Sequence, residues 1–198
     1  RRRHTRYWRD WSSDVYSSDL GTPYAGSTRL VPIVSSGGLT SAAMYDGDLV
    51  ELTSAGTCQT VSSGTAAPQA LGVCVGVQYV NSLGQTVQAQ YAPANSTNAV
   101  AYVVDDPSAL FKVAMVSSGT TIAGLGRTAV GQNTSVILNS GSATTGDSKQ
   151  AISSTTNITA TLPIRIVDVV PETATGADTF VEFVVKINTH TYLNTTGV

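Results

Sequence analysis

From Arg29 onward, short apolar or alternating runs are separated by turn residues. The runs are RLVPIV (29–34), DLVELTS (48–54), ALGVCVGVQYV (70–80), TVQAQYA (86–92), AVAYVV (99–104), LFKVAMV (110–116), TSVILN (134–139), LPIRIVDVV (162–170) and TFVEFVVKIN (179–188). Between them stand SSGG (35–38), SAGT (54–57), SSGT (62–65), NSLG (81–84), SSGT (117–120), NSGS (139–142) and TATGAD (173–178). Such punctuation marks hairpins and longer β-loops, so the pattern predicts nine strands in one all-β domain, a sandwich or a barrel.

In TFVEFVVKIN, Val181, Phe183, Val185 and Ile187 alternate with Glu182, Lys186 and Asn188, the period of two expected of a strand with one buried face. In ALGVCVGVQYV the odd positions Val73, Val75, Val77 and Tyr79 are large, while Gly72, Cys74 and Gly76 are small. One face is expected to fill a core and the other to let a neighbouring sheet or subunit approach. Pro32 and Pro163 lack the amide that a central ladder needs, which places the first and eighth runs at sheet edges or strand starts.

Helical signals are sparse. In GTTIAGLGRTAVGQN (119–133), Gly124, Gly126 and Gly131 would each cost about 1 kcal/mol inside a helix, leaving a loop or one short helix. In DDPSALF (105–111), Asp106 ahead of Pro107 predicts one capped helical turn. The expectation is at most one or two helical turns with long loops.

Composition agrees with strands. The chain has 198 residues, enough for one core, and its 22 Ser and 27 Thr fill about a quarter of all positions while charged residues fill 12%. Hydroxyls replace charges on the surface, as suits sheets and turns. No apolar run approaches the ~20 residues of a membrane helix, and the N-terminal stretch lacks the apolar centre of a secretory signal, so the expectation is a protein neither embedded nor exported by that route.

Charge is uneven. Arg1, Arg2, Arg3, Arg6 and Arg9, with Tyr7, Trp8 and Trp11, crowd into the first twenty residues, and the remainder holds six basic against ten acidic residues. Arginines beside stacking aromatics suit nucleic acid. However, RRRHTRYWRDWSSDVYSSDL resembles a translated sequencing-adapter tail ending WSSDVCSSDL, matched here except at Tyr16. Residues 1–20 are therefore expected to be a non-native or arm-like segment, with 21–198 the functional β-rich domain and no direct nucleic-acid partner.

Candidate chemistry in the body is thin. Asp46 and Asp48 in YDGDL and Asp105 and Asp106 in VVDDP offer oxygen ligands, but without the spacing of a twelve-residue calcium loop, so turns and caps are the expected role. His190 is the body's one histidine, and no G-x-S-x-G elbow accompanies it. The glycines of GLGRTAVG (124–131) match neither a dinucleotide fingerprint nor a phosphate loop. A Cys58–Cys74 bond would contribute roughly 3 kcal/mol, yet without a secretory context two buried thiols are expected. The triplets at Asn95, Asn133, Asn157 and Asn194 are read as chance products of Ser/Thr abundance. No catalytic residue, cofactor or metal is assigned.

The segments YDGDLVELTSAG (45–56), ALGVCVGVQYV (70–80), AYVVDDPSALFKV (101–113), LPIRIVDVVPE (162–172) and VEFVVKINTHTY (181–192) resemble, in order and spacing over most of 24–192, head decoration or capsid cement proteins of tailed bacteriophages. That resemblance implies a non-enzymatic virion protein on the outer capsid surface, forming a homotrimer and clamping copies of the major capsid protein. Contacts are expected at Asp105, Asp106 and Pro107 and at the strand end bearing Lys186, Asn188 and His190. The competing readings are a bacterial surface adhesin or pilin-like β-sandwich and a depolymerising tail-spike fragment. The first predicts an export signal in the gene, the second paired carboxylates in a cleft.

Overall fold

The computed structural model describes residues 28–64, 69–123, 125–173, 181–195 and 197, with the backbone of 12–17 and 22–23. The residues Arg1, Arg2, Arg3, Arg6, Tyr7, Trp8, Arg9 and Trp11, and the turn at 174–178, lie outside the described residues. Strand accounts for 52% of the structure, and no described helix reaches seven residues. The chain is all-β.

Ten strands carry the architecture: β1 (Arg29–Pro32), β2 (Leu49–Leu52), β3 (Cys58–Thr60), β4 (Ala70–Val80), β5 (Thr97–Val104), β6 (Leu110–Ser118), β7 (Asn133–Ile137), β8 (Ala151–Asn157), β9 (Ile164–Val169) and β10 (Glu182–Ile187). They divide between two curled sheets. In the first, β3, β2, β4, β5 and β1 pair antiparallel in that order, and the sheet closes where Ile33, just past β1, bridges Cys58 of β3 in parallel. In the second, β8, β7, β9, β10 and β6 pair antiparallel, and β6 closes onto β8 in parallel at Met115 and Ile152. Closure removes sheet edges that would otherwise offer unpaired amides.

The second barrel repeats the first strand for strand. The β1–β5 pairs Arg29–Val103, Leu30–Tyr102, Val31–Ala101 and Pro32–Val100 have counterparts in the β6–β10 pairs Phe111–Val185, Lys112–Val184, Val113–Phe183 and Ala114–Glu182. One extra residue bulges from β4 between Cys74 and Val77, and one from β9 between Ile166 and Asp168, at matching places in the register. Both barrels also turn alike after their first strand: Gly37 and Gly119 follow Val-Ser-Ser and take positive φ, which starts a short hairpin in each case. We describe the fold as two copies of one five-stranded barrel.

Each barrel encloses apolar side chains. Val31, Ile33, Val50, Leu71, Val77 and Val103 fill the first. Phe111, Val113, Met115, Ile152, Phe183 and Val185 fill the second, each contributing about 1.5–3 kcal/mol by leaving water. The two cores are not separate, because Leu49, Ala70, Val73 and Val104 of the first barrel pack into the second cluster.

Several expectations are corrected. The β4 run does not present one large and one small face, because bulges shift its parity: Val73 packs with the second barrel, whereas Leu71, Cys74 and Val77 face the first. Gly72 is small because β5 lies on it; a Cβ there would overlap the Val104 carbonyl. The close approach comes from the chain's own neighbouring strand. Strands β3 and β8 have no apolar run to announce them. Among the described residues three short 3₁₀ turns occur, at Arg127–Ala129, Pro171–Thr173 and Thr191–Leu193. Within the N-terminal segment, Ser12–Ser17 pairs with β6 at Leu110 and Lys112.

Candidate functional site

The connection between the two barrels is the predicted DDP segment. Asp106 caps it, its carboxylate accepting the Ser108 amide at 2.8 Å while its carbonyl accepts the Ala109 amide at 3.0 Å. The result is a single tight turn in place of the expected helical turn, because β6 takes over the backbone at Leu110. Lys186 and Asn188 occupy the corresponding end of the second barrel, where the register matches Val104 with Lys186. Sequence reasoning had thus selected two equivalent strand ends.

Of the six residues, the structure brings Asp105 and His190 into one cluster, with two partners the sequence did not flag. Arg29, opening β1, places Nε 2.9 Å from Asp105 Oδ2 and its guanidinium 5.4 Å above the Tyr192 ring. Arg29 Nη2 also donates to the Tyr192 hydroxyl, which lies 3.4 Å from Asp105. His190 is fully buried, and its Nδ1 accepts the Tyr192 amide at 3.1 Å, fixing the 3₁₀ turn that carries Tyr192. Burial lowers the His190 pKa, opposed by Asp105, Asp106 and the carbonyls of Leu71 and Asp105. Among the described residues, His190 Nε2 is a buried atom without a hydrogen-bond partner.

The cluster is therefore a surface patch on a buried support. Arg29 is 49% exposed in its side chain, Tyr192 47% and Leu193 57%. Arginine and tyrosine are residue types that dominate binding energy at protein interfaces, and here each holds the other in place. Arg29 and Tyr192 stand 163 positions apart, so no local motif could have joined them.

Asn188 serves its own fold: its side-chain amide donates to the Ala160 and Leu162 carbonyls, each at 2.9 Å, and clamps the turn before β9. Lys186 pairs in register with Arg165 on the outer side of β10. Pro107 is half-buried beside Asp106 in the connection.

The Asp46–Asp48 turn lies where the barrels meet. Asp48 is buried; its carboxylate accepts the Tyr45 amide at 2.9 Å and the Thr60 hydroxyl at 3.4 Å. Asp46 bridges Asp147 in parallel, and the Leu49 amide donates to Gln150 at 3.0 Å, so the long β7–β8 loop of the second barrel reaches the first. Tyr45 stacks on Tyr91 with ring centroids 5.5 Å apart, and the loop passes the Tyr45 ring at Gly141, where a Cβ would not fit. Burial pushes both carboxyls up to about 6, helped for Asp46 by the nearby charge of Asp147. Among the described residues, no group of three His, Cys, Asp or Glu side chains is placed to hold a metal. Cys58 and Cys74 are free and buried.

Comparison of the chain with protein-family models, with curated proteins and with solved structures finds no match in any of the three.

Proposed function

We propose that this chain is a virion structural protein of the head-decoration type, which binds the outside of a phage shell and clamps neighbouring copies of the major capsid protein. The observation that carries the reading is that segments bearing the resemblance meet at the exposed patch. Asp105 comes from AYVVDDPSALFKV and Tyr192 from VEFVVKINTHTY, and with Arg29 they form one surface patch, supported from beneath by the buried His190 of the same second segment. A body of two rigid barrels carrying a preformed Arg/Tyr patch suits a clamp, since a shell repeats the same target many times and modest contacts add through multivalency. The homotrimer implied by the same resemblance belongs to this proposal.

Binding of the purified chain to shells lacking it tests the reading, scored by co-sedimentation and by reconstruction of the particles. The expected result is saturable density on the outer surface, with Arg29→Ala and Tyr192→Ala each weakening binding at least about tenfold, as befits central interface residues. No density on any shell, or location of the protein on a bacterial surface, overturns it.

A further inference from the structure

Tyr192 reaches the patch on a turn that an imidazole caps. A helical start needs a side-chain acceptor for its free amides, a task ordinarily given to Ser, Thr, Asp or Asn, whose oxygens keep their lone pairs near neutral pH. At Thr191–Leu193 the acceptor is His190 Nδ1, 3.1 Å from the Tyr192 amide nitrogen, while the His190 carbonyl accepts the Leu193 amide at 3.0 Å. An imidazole nitrogen accepts only while it carries no proton. The bond therefore fixes the neutral ring with its proton on Nε2.

That proton has no acceptor among the described residues, and the ring is fully buried. A second orphan lies on the neighbouring segment. Gln69 Oε1 is likewise buried and unpaired, although Ala70 bridges His190 in parallel and Thr191 Oγ1 donates to the Gln69 carbonyl at 2.8 Å. Two unpaired polar atoms narrow the margin of the closed turn over any state that wets them. Few charged groups surround the ring. Asp105 and Asp106, on the connection between the barrels, favour a positive imidazole, and Arg29 of β1 is paired with Asp105. Tyr192 lies on the turn itself, and residues 69–71, at the start of β4, bring no titratable side chain.

We propose that His190 is an acid-operated latch on the patch: a proton on Nδ1 removes the acceptor that caps the Thr191–Leu193 turn, and Tyr192 leaves Arg29 and Asp105. The imidazolium carries N–H groups at both nitrogens, so the Tyr192 amide would meet a donor. Opening the turn relieves that clash and brings the new charge to water. Burial lowers the pKa of the closed state, so the open state takes up a proton more readily. Acidification therefore favours opening, by up to about tenfold for each pH unit below the ordinary histidine value. Arg29 then keeps Asp105 but loses the ring beneath its guanidinium. The consequence, a patch that releases a shell in acid, rests on the proposed function; the movement itself does not.

Nitrogen-15 NMR of the full chain carrying His4→Gln leaves His190 as its one imidazole. Near neutral pH the expected spectrum has Nε2 protonated and Nδ1 bare. Between about pH 7 and pH 5 the ring is expected to titrate to the imidazolium. In step with it, the Tyr192 amide should lose about tenfold of its hydrogen-exchange protection, after correction for the intrinsic pH dependence of exchange. His190→Asn supplies a capping oxygen that takes no proton, so its Tyr192 protection should stay level over the same range. A proton on Nδ1 near neutral pH, protection that does not follow the ring, or a variant as acid-sensitive as the wild type each overturns the latch. The first two are read with His190 intact and decide even where the variant fails to fold. None of these readouts uses a shell, so a working latch on a chain that binds no shell counts against the proposed function alone.

Discussion

Gly47 and Gly131 stand at one and the same position of two barrels. Each takes a positive φ, 87° and 85°. The Gly47 amide donates to the Cys74 carbonyl at 2.7 Å and the Gly131 amide to the Ile166 carbonyl at 2.9 Å. One residue on, the Asp48 and Gln132 carbonyls each accept from that same strand residue, both at 2.9 Å. The left-handed turn is thus a structural requirement of the barrel, set just ahead of its second strand. Gly47→Ala and Gly131→Ala are each expected to cost about 1–2 kcal/mol, the penalty of placing a Cβ in the left-handed region. Thermal unfolding checks this, at about 2–4 °C per kcal/mol for a chain of this size. A neutral Gly131→Ala would show that its backbone geometry is not needed.

Asp48 sets a pH dependence. Burial raises its carboxyl from 3.8 to about 6, so between these values the folded protein binds a proton that the unfolded chain does not. Stability contributed by this group therefore rises as the pH falls from about 6 toward 4. Asp48→Asn keeps an acceptor for the Tyr45 amide and removes the titration. The Tm of the wild type minus that of the variant is expected to increase by several degrees from pH 7 to pH 4. Taking the difference is necessary, because His190, with its lowered pKa, loses stability over the acid range and works in the opposite direction. A flat difference refutes the assignment.

The two thiols are predicted to be silent in the folded protein. Burial pushes Cys58 up to about 12 and Cys74 well above the ordinary thiol range, so neither supplies thiolate at pH 8. A colorimetric thiol reagent should find none in native protein and two per chain in urea. Rapid native labelling of either cysteine would show that the first barrel opens.

How far the sequence reveals this fold depends on where apolar residues concentrate. The nine runs all contain strands, because alternation survives wherever one face is buried, as in Val181, Phe183, Val185 and Ile187. The strands β3 and β8 escaped notice because their pairing rests on residues such as Gln59, Thr60 and Ser153–Asn157, whose side chains do not alternate by polarity. The repeat was hidden for a related reason. A barrel core tolerates any apolar residue of suitable volume, so Ile33 is matched by Met115 and Cys58 by Ile152 with no identity kept. The Val-Ser-Ser-Gly turn kept its letters in both copies, yet the same four letters also occur at Val61–Gly64, outside the repeat. Of the site, Asp105 and His190 were legible as unusual residues at strand ends. Arg29 and Tyr192 were not, since only closure of the fold brings them together.

The shared core makes the last expectation the strictest. Leu49, Ala70, Val73 and Val104 belong to the first barrel by pairing and to the second by packing. Separating the barrels would return these side chains to water, along with the seam in which Leu49 bonds Gln150 and Asp46 pairs with Asp147. Neither barrel is then a free-standing unit, although each has a complete set of strands. Heat should unfold the chain in one transition with equal calorimetric and van't Hoff enthalpies. Phe111→Ala, a truncation deep in the second barrel expected to cost about 3–5 kcal/mol, should lower the midpoint seen by probes in both barrels equally. Two transitions, or a Phe111→Ala effect confined to the second barrel, would show that the repeats melt as independent domains.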